Sequence, residues 1–289
     1  MRILGTIFAG LFGLVFGSFL NVCLSRWPEG ESVVKPRSRC RTCGRTLTWW
    51  ENVPVLSWLA LRGRCRTCGA SIALRYVVVE LAVGVLWAYV VWRYLGQFEF
   101  TDMGIHLLAG SQMFPLISAL AVMIFCFLLV GVAVLDAEHF WIADAITLPG
   151  IILGLLFGSI FWPGAVVTTA FWKALGWRVL AVLVAAALVL LIRWLYWLVR
   201  RKEGMGLGDA KLMAMLAAWL GLPGALLAFF IGIVIGAGMA VIMLVAPKRN
   251  EETWATRKLP LGTFLCIGGI VSSLWGRQII DAYLRLSGF

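Results

Sequence analysis

Two aspartates stand where few acids are tolerated. Asp209 closes the stretch Gly204-Met-Gly-Leu-Gly-Asp209 and, with Ala210 and Lys211, heads a long apolar run; Asp136 ends another apolar run in Leu135-Asp-Ala-Glu-His139. Glycines at 204, 206 and 208 let the backbone turn tightly and approach another chain without a Cβ in the way. An acid beside membrane-grade sequence is costly unless it has a task or a partner. Two carboxyls brought together share a proton, because like charges in contact resist being ionised at once. The ionised member then takes a proton from water while the neutral one protonates a carbonyl oxygen, the division of labour that peptide hydrolysis needs. Glu138, His139 and Asp144 lie nearby as further acids, ligands or caps, and Lys211 is a candidate interfacial anchor. A single Asp at a helix end is also an ordinary cap. Residue types alone therefore specify a polar carboxylate site in a membrane protein.

A second cluster suits a metal. Cys40-Arg-Thr-Cys43-Gly44 recurs as Cys65-Arg-Thr-Cys68-Gly69, twenty-five residues on. Two such pairs bring four thiolates into a tetrahedron, and the glycine after each pair permits the tight knuckle that aims backbone amides at sulfur. Four cysteines fill the coordination sphere of Zn2+, so the expected zinc is structural. Disulfides are the alternative, and a reducing cytoplasm disfavours them. Cys23, Cys126 and Cys266 fall in or at apolar runs and read as packing residues.

These groups must be held by membrane helices. Of 289 residues, 62% are apolar and 13% charged, against about 25% charged in soluble domains, and the mean hydropathy is +0.94. Runs of about twenty apolar residues recur, each able to cross about 30 Å of hydrocarbon. The net charge of +11 reads as loop charge on the inner side of a membrane, with the lipid bilayer as partner and no nucleic acid. The first run lacks a small-residue cleavage site and is kept as a span.

The expected fold is an all-α polytopic membrane protein of about eight transmembrane helices, with a small cytoplasmic zinc-knuckle domain between the first and second. The expected divisions are 1–25, a first helix; 26–75, the cysteine domain; and 76–289, a membrane-embedded catalytic domain. Basic residues far outnumber Glu29, Glu31 and Glu51 in the loop 26–75, which places it in the cytoplasm. The spans then follow at 3–24, 76–95, 114–135, 145–162, 177–199, a short sixth from near 212 to Leu222-Pro-Gly224, 225–245 and 261–284. The loop with Glu99 and Asp102 falls outside, and the loop with Lys248, Arg249, Arg257 and Lys258 inside. Lys173 and Arg178 are exceptions to the charge pattern. On this count Asp136 and Asp209 emerge on the same, cytoplasmic, face.

In combination these stretches resemble the type IV prepilin peptidases, the GxGD-type aspartic membrane proteases that also act as N-methyltransferases. The similarity runs through Gly17-Ser-Phe-Leu-Asn-Val22, the paired cysteine motifs with Asn52-Val-Pro-Val-Leu-Ser-Trp58 between them, and Arg62-Gly-Arg-Cys65. It continues through Arg75-Tyr76 with Glu80, Asp136-Ala-Glu-His139, Gly204-Met-Gly-Leu-Gly-Asp-Ala-Lys211 and Pro260-Leu-Gly-Thr-Phe-Leu265. Departures are Ala143 where proline is common, Leu261 where phenylalanine is common, and a longer stretch at about 163–177.

The resemblance implies that Asp136 and Asp209 are the catalytic pair; Glu138, Asp144, Gly206, Gly208 and Lys211 are candidates to support the site or the substrate, Glu138 and Asp144 because a basic leader needs acids nearby. It implies cleavage of a basic leader from type IV prepilins or type II secretion pseudopilins at the cytoplasmic face of the bacterial inner membrane, after a glycine. It also implies methylation of the new N-terminal residue with S-adenosylmethionine. The alternatives are an ion- or proton-coupled transporter using Asp136 and Asp209, and a scaffold in which the zinc domain only binds partners.

Overall fold

The computed structural model describes residues 2–35, 37–96, 113–160, 168–201, 206–245 and 259–287. These form eight α-helices: α1 (Arg2–Arg26), α2 (Leu56–Ala60), α3 (Arg75–Leu95), α4 (Met113–His139), α5 (Asp144–Ile160), α6 (Thr168–Arg200), α7 (Leu207–Val245) and α8 (Leu261–Leu286). Among the described residues there is no strand, only two isolated β-bridges in the cysteine loop. Six helices are long and apolar enough to cross a membrane, and α5 is a shorter apolar helix. The all-helical membrane fold expected from composition is borne out. The chain divides into two compact units, 1–130 and 131–289.

The expected sixth and seventh spans share one helix, α7, broken at Gly221, whose φ of 72° and ψ of 175° leave the helical region. Pro223 follows and has no N–H to give, so carbonyls upstream lose their partners. Arg178, on α6, donates to the carbonyl oxygens of Ala218 (3.3 Å) and Trp219 (2.9 Å). The cation that looked out of place in the charge pattern thus satisfies backbone that lipid cannot solvate. One boundary needs correction: α6 begins at Thr168, not near 177. The stretch Thr168–Trp177 is polar enough to read as loop, yet holds no proline and continues the helix. The loops with Glu99 and Asp102, and with Lys248 to Lys258, lie outside the described residues.

In the first unit α1 packs on α3 through glycine. A Cβ on Gly13 would sit 2.8 Å from the Gly84 Cα, and one on Gly17 would sit 2.7 Å from the Glu80 Cα. Such close backbone approach substitutes van der Waals contact for the hydrophobic drive that lipid removes. Asn21 donates its side-chain amide to the Tyr76 carbonyl at 2.9 Å, tying the two helices at the same end. In the second unit α8 packs on α7 so tightly that a Cβ on Gly268 would meet the Ala228 carbonyl oxygen, and Ser272 donates to the Gly224 carbonyl beside the break at 2.8 Å. Trp219 anchors α7 to α5, donating to the Gly150 carbonyl at 2.8 Å and stacking on Phe157.

Candidate active site and metal centre

The second unit draws the ends of α4, α7 and α8 together around Ile142. Helix α4 stops after His139, where Phe140 takes a φ of 51° and returns its N–H to the Asp136 carbonyl at 2.9 Å. That turn reverses the chain so that Ile142 and Ala143 are buried before α5 starts at Asp144. A Cβ on Gly208 would lie 3.0 Å from Ile142, and one on Gly262 would lie 3.0 Å from both Ile142 and the Asp136 carboxyl. These two glycines therefore let the starts of α7 and α8 close on the residue that follows α4.

Asp136 and Asp209 are both buried, at 6% and 9% exposure, at helix ends that close on the same residue, Ile142. Asp136 Oδ2 accepts the Thr263 N–H at 2.7 Å. The Thr263 hydroxyl lies 3.2 Å from the same oxygen and 2.9 Å from the Ala133 carbonyl. Asp209 Oδ2 accepts the Gly206 N–H at 3.1 Å. Each acid is thus oriented by backbone donors at a helix start, where N–H groups lack intrahelical partners.

The other sequence candidates take distinct places. Gly206 holds Asp209, and Gly208 makes room for Ile142; Gly204 and Met205 lie outside the described residues. Lys211 pairs with Asp144 at 2.6 Å across α7 and α5, both side chains remaining substantially exposed. Glu138 stands at the end of α4, 3.9 Å from His139. Thr263, Ile142 and Gly262 are the contributions that residue type alone did not single out. For Gly262 and Thr263 the sequence signal was the Pro260-Leu-Gly-Thr stretch, and for Ile142 only its place between Asp136 and Asp144.

The cysteine loop, in the first unit, folds as two copies of one turn. The N–H of Cys40 reaches the Arg45 carbonyl (2.9 Å) and that of Gly44 the Cys40 carbonyl (2.9 Å). The equivalents Cys65 to Ala70 (2.8 Å) and Gly69 to Cys65 (3.0 Å) repeat the pattern. Gly44 and Gly69 adopt φ of 70° and 71°, which explains the glycine after each pair. The four cysteines are free thiols whose sulfurs lie within 4.8 Å of one another, with Cys40 and Cys68 at 3.8 Å. Sulfurs about 2.3 Å from a tetrahedral Zn2+ would be about 3.8 Å apart, so the donor set fits that ion. Backbone amides of Cys68 and Thr67 lower the Cys65 thiol to about 6, and those of Cys43 and Thr42 lower Cys40, whereas against the Ala70 amide, burial and the neighbouring thiols push Cys68 up to about 11. Beside the knuckles, buried Glu51 accepts from Arg45 at 2.5 Å and from the Thr48 N–H and hydroxyl at 2.8 and 2.7 Å. Arg45 and then these Thr48 donors hold the Glu51 carboxyl at about 2.

Comparison with known proteins finds two family matches. Residues 11–94 match the bacterial peptidase A24 N-terminal domain, and residues 122–241 match the type IV leader peptidase family. A prepilin leader peptidase/N-methyltransferase of Stutzerimonas stutzeri is 34% identical over 300 residues, covering 96% of this chain and 93% of that protein. One of Pseudomonas aeruginosa is 34% identical over 308 residues with the same coverage. One of Myxococcus xanthus is 35% identical over 257 residues, covering 89% of this chain and 68% of that protein. No solved structure matches. Nothing among these supports the transporter alternative.

Proposed function

The chain belongs to the type IV leader peptidase family, and from that premise we propose that it removes the leader of prepilins or pseudopilins with Asp136 and Asp209 and then methylates the new N-terminus. It is a multi-pass protein of the bacterial inner membrane. The active site faces the cytoplasm, where the basic loops of the sequence also lie. One observation carries the assignment above all: two buried carboxyls, Asp136 on α4 and Asp209 on α7, stand at helix ends that pack on the same residue, Ile142.

In the proposed reaction one of the two carboxylates takes a proton from water, whose oxygen attacks the scissile carbonyl carbon. The other, protonated, donates to the carbonyl oxygen. Collapse of the tetrahedral adduct breaks the C–N bond: the departing amine takes the proton that the first carboxyl drew from water, and an adduct hydroxyl returns its proton to the second carboxylate as the carbonyl re-forms. With Oδ2 of each acid held by backbone donors, proton exchange runs through the oxygens the backbone leaves to solvent and substrate. Because the donors are part of the fold, no reorganisation is needed as charge moves. A prepilin places its basic leader outside the membrane and its apolar helix within it, so the scissile bond rests at the interfacial depth of the pair. Glu138 and Asp144 offer negative charge to the leader, Asp144 in competition with Lys211.

Cys40, Cys43, Cys65 and Cys68 would hold a structural Zn2+ in the domain at 26–75, with residues 76–289 carrying the peptidase. S-adenosylmethionine, when bound, supplies the methyl group. The test is to incubate the membrane-reconstituted protein with a prepilin and S-adenosylmethionine and read the product by mass spectrometry. Loss of the leader and gain of one methyl on the new N-terminus are expected. An uncut prepilin, across several prepilins, would overturn the assignment.

A further inference from the structure

Val55 is where the cysteine domain meets the first membrane unit. Its φ of 60° is strained for a β-branched residue, and its N–H donates to Glu80 Oε2 at 2.7 Å. Glu80 lies five residues into α3, about 7 Å along the helix axis. It is buried, with the backbone of Gly17 on α1 packed against its Cα. The residues leading into α2 are therefore tied to a point inside the span-forming bundle. Helix α2 thus starts alongside the first two turns of a helix long and apolar enough to span a membrane, which sets it near the bilayer interface when α3 spans.

The side chains around α2 suit that depth. Trp58 turns inward, donating its indole N–H to the Ile72 carbonyl at 3.0 Å and packing on Gly63. Leu56 and Leu59 point away from the protein, 65% and 57% exposed, and Trp49, in the turn before α2, is 81% exposed. Arg62, Arg64 and Arg66 follow at once and are exposed, Arg66 lying over the Trp50 ring. The acids of the domain are already engaged: Glu29 with Arg41, Glu31 with Arg39 and Glu51 with Arg45. Arg62 and Arg64 pair with no carboxylate among the described residues. Apolar side chains directed outward, followed within one turn by unpaired guanidiniums, form an amphipathic surface whose complement is an anionic lipid layer.

We propose that the segment 49–66 is an interfacial anchor that binds anionic phospholipid. Leu56 and Leu59 enter the acyl boundary, and Arg62 and Arg64 contact headgroup phosphate. The anchor fixes the height of the cysteine domain independently of any peptidase chemistry. An acidic soluble protein would satisfy the arginines but would leave the two leucines without an apolar partner at that depth.

The test uses the full-length protein in nanodiscs of phosphatidylcholine, with or without phosphatidylglycerol. For the wild type, hydrogen exchange of α2 is expected to slow when phosphatidylglycerol is present. Native mass spectrometry of the Arg62→Gln/Arg64→Gln variant, with its zinc content and thermal stability checked, is expected to show phosphatidylglycerol retained roughly thirtyfold less tightly, at about fivefold per arginine. Phosphatidylcholine retention is expected to be unchanged. Equal phosphatidylglycerol retention by variant and wild type would overturn the proposal. So would α2 exchange in the wild type that is indifferent to anionic lipid, or that slows only with added polyglutamate; this arm decides the matter even if the variant does not fold.

Discussion

Thr263 donates its backbone N–H to Asp136 Oδ2 over 2.7 Å, although 127 residues separate them in the chain. The carboxyl of Asp136 is thus oriented by the first turn of α8 as well as by α4. An N–H at a helix start has no intrahelical partner, so donating to a carboxylate satisfies a group that would otherwise need water. Gly262, one residue earlier, makes the approach possible.

Replacing Gly262 with alanine should therefore disturb Asp136 directly. The new Cβ would meet the Asp136 carboxyl and Ile142 at 3.0 Å, and displacing a catalytic group by a fraction of an ångström costs rate steeply. The expected result is a fall of about tenfold or more in cleavage at normal protein level. Thr263→Val, which keeps the N–H and loses only the hydroxyl, is expected to cost less. Steady-state cleavage of one prepilin by both variants checks the order.

Charge near the pair should act on substrate binding more than on chemistry. Glu138→Gln and Asp144→Asn are each expected to raise KM severalfold for a basic leader with kcat nearly unchanged, and added salt should narrow the difference. The Lys211–Asp144 pair is solvent-exposed, so its loss should change stability by less than about 1 kcal/mol. Kinetics at two salt concentrations and a thermal melt check both points. Complete loss of activity in either acid variant would contradict the division.

The cysteine quartet should bind one Zn2+ per chain. Cys40→Ser with Cys65→Ser is expected to abolish zinc in elemental analysis and to loosen the loop 37–72, seen as faster hydrogen exchange, because a structural metal contributes folding energy directly. Cleavage and methylation measured separately on the same preparation show which activity needs the domain. Unchanged zinc content would refute the assigned ligands.

Glu51 supplies a pH test. Its carboxyl lies at about 2 in the fold against an ordinary value of 4.5, so folding favours the ionised form. The sign follows from linkage: the stabilisation is complete above about pH 4.5 and is lost as pH falls toward 2. The melting-temperature difference between wild type and Glu51→Gln is expected to be flat from roughly pH 5 to 8 and to shrink below that range. A difference that grows with acid would contradict the Arg45–Glu51–Thr48 arrangement.

The two aspartates and the four cysteines are legible in the sequence because their signals are local: glycines beside Asp209, a Cys-x-x-Cys-Gly repeat, and apolar runs that end at acids. The membrane fold is legible for the same reason. What holds the site is not. Thr263 reaches Asp136 over 127 residues, and Lys211 reaches Asp144 over 67, and neither contact leaves a mark on composition or spacing. Arg178 looked like an exception to loop charge until the break at Gly221 showed which carbonyls it serves. The start of α6 was hidden because Lys173 and two threonines dilute the apolar signal without stopping the helix.

The central claim is that Asp136 and Asp209 act together, and the most direct measurement is prepilin cleavage in membranes carrying the wild type, Asp136→Asn or Asp209→Asn. Asparagine keeps size and most hydrogen bonds while removing the titratable proton. The expected result is that each variant accumulates and binds zinc like the wild type, yet cleaves about a thousandfold or more slowly. Cleavage by either variant within about tenfold of the wild type would remove that aspartate from the reaction and contradict the account.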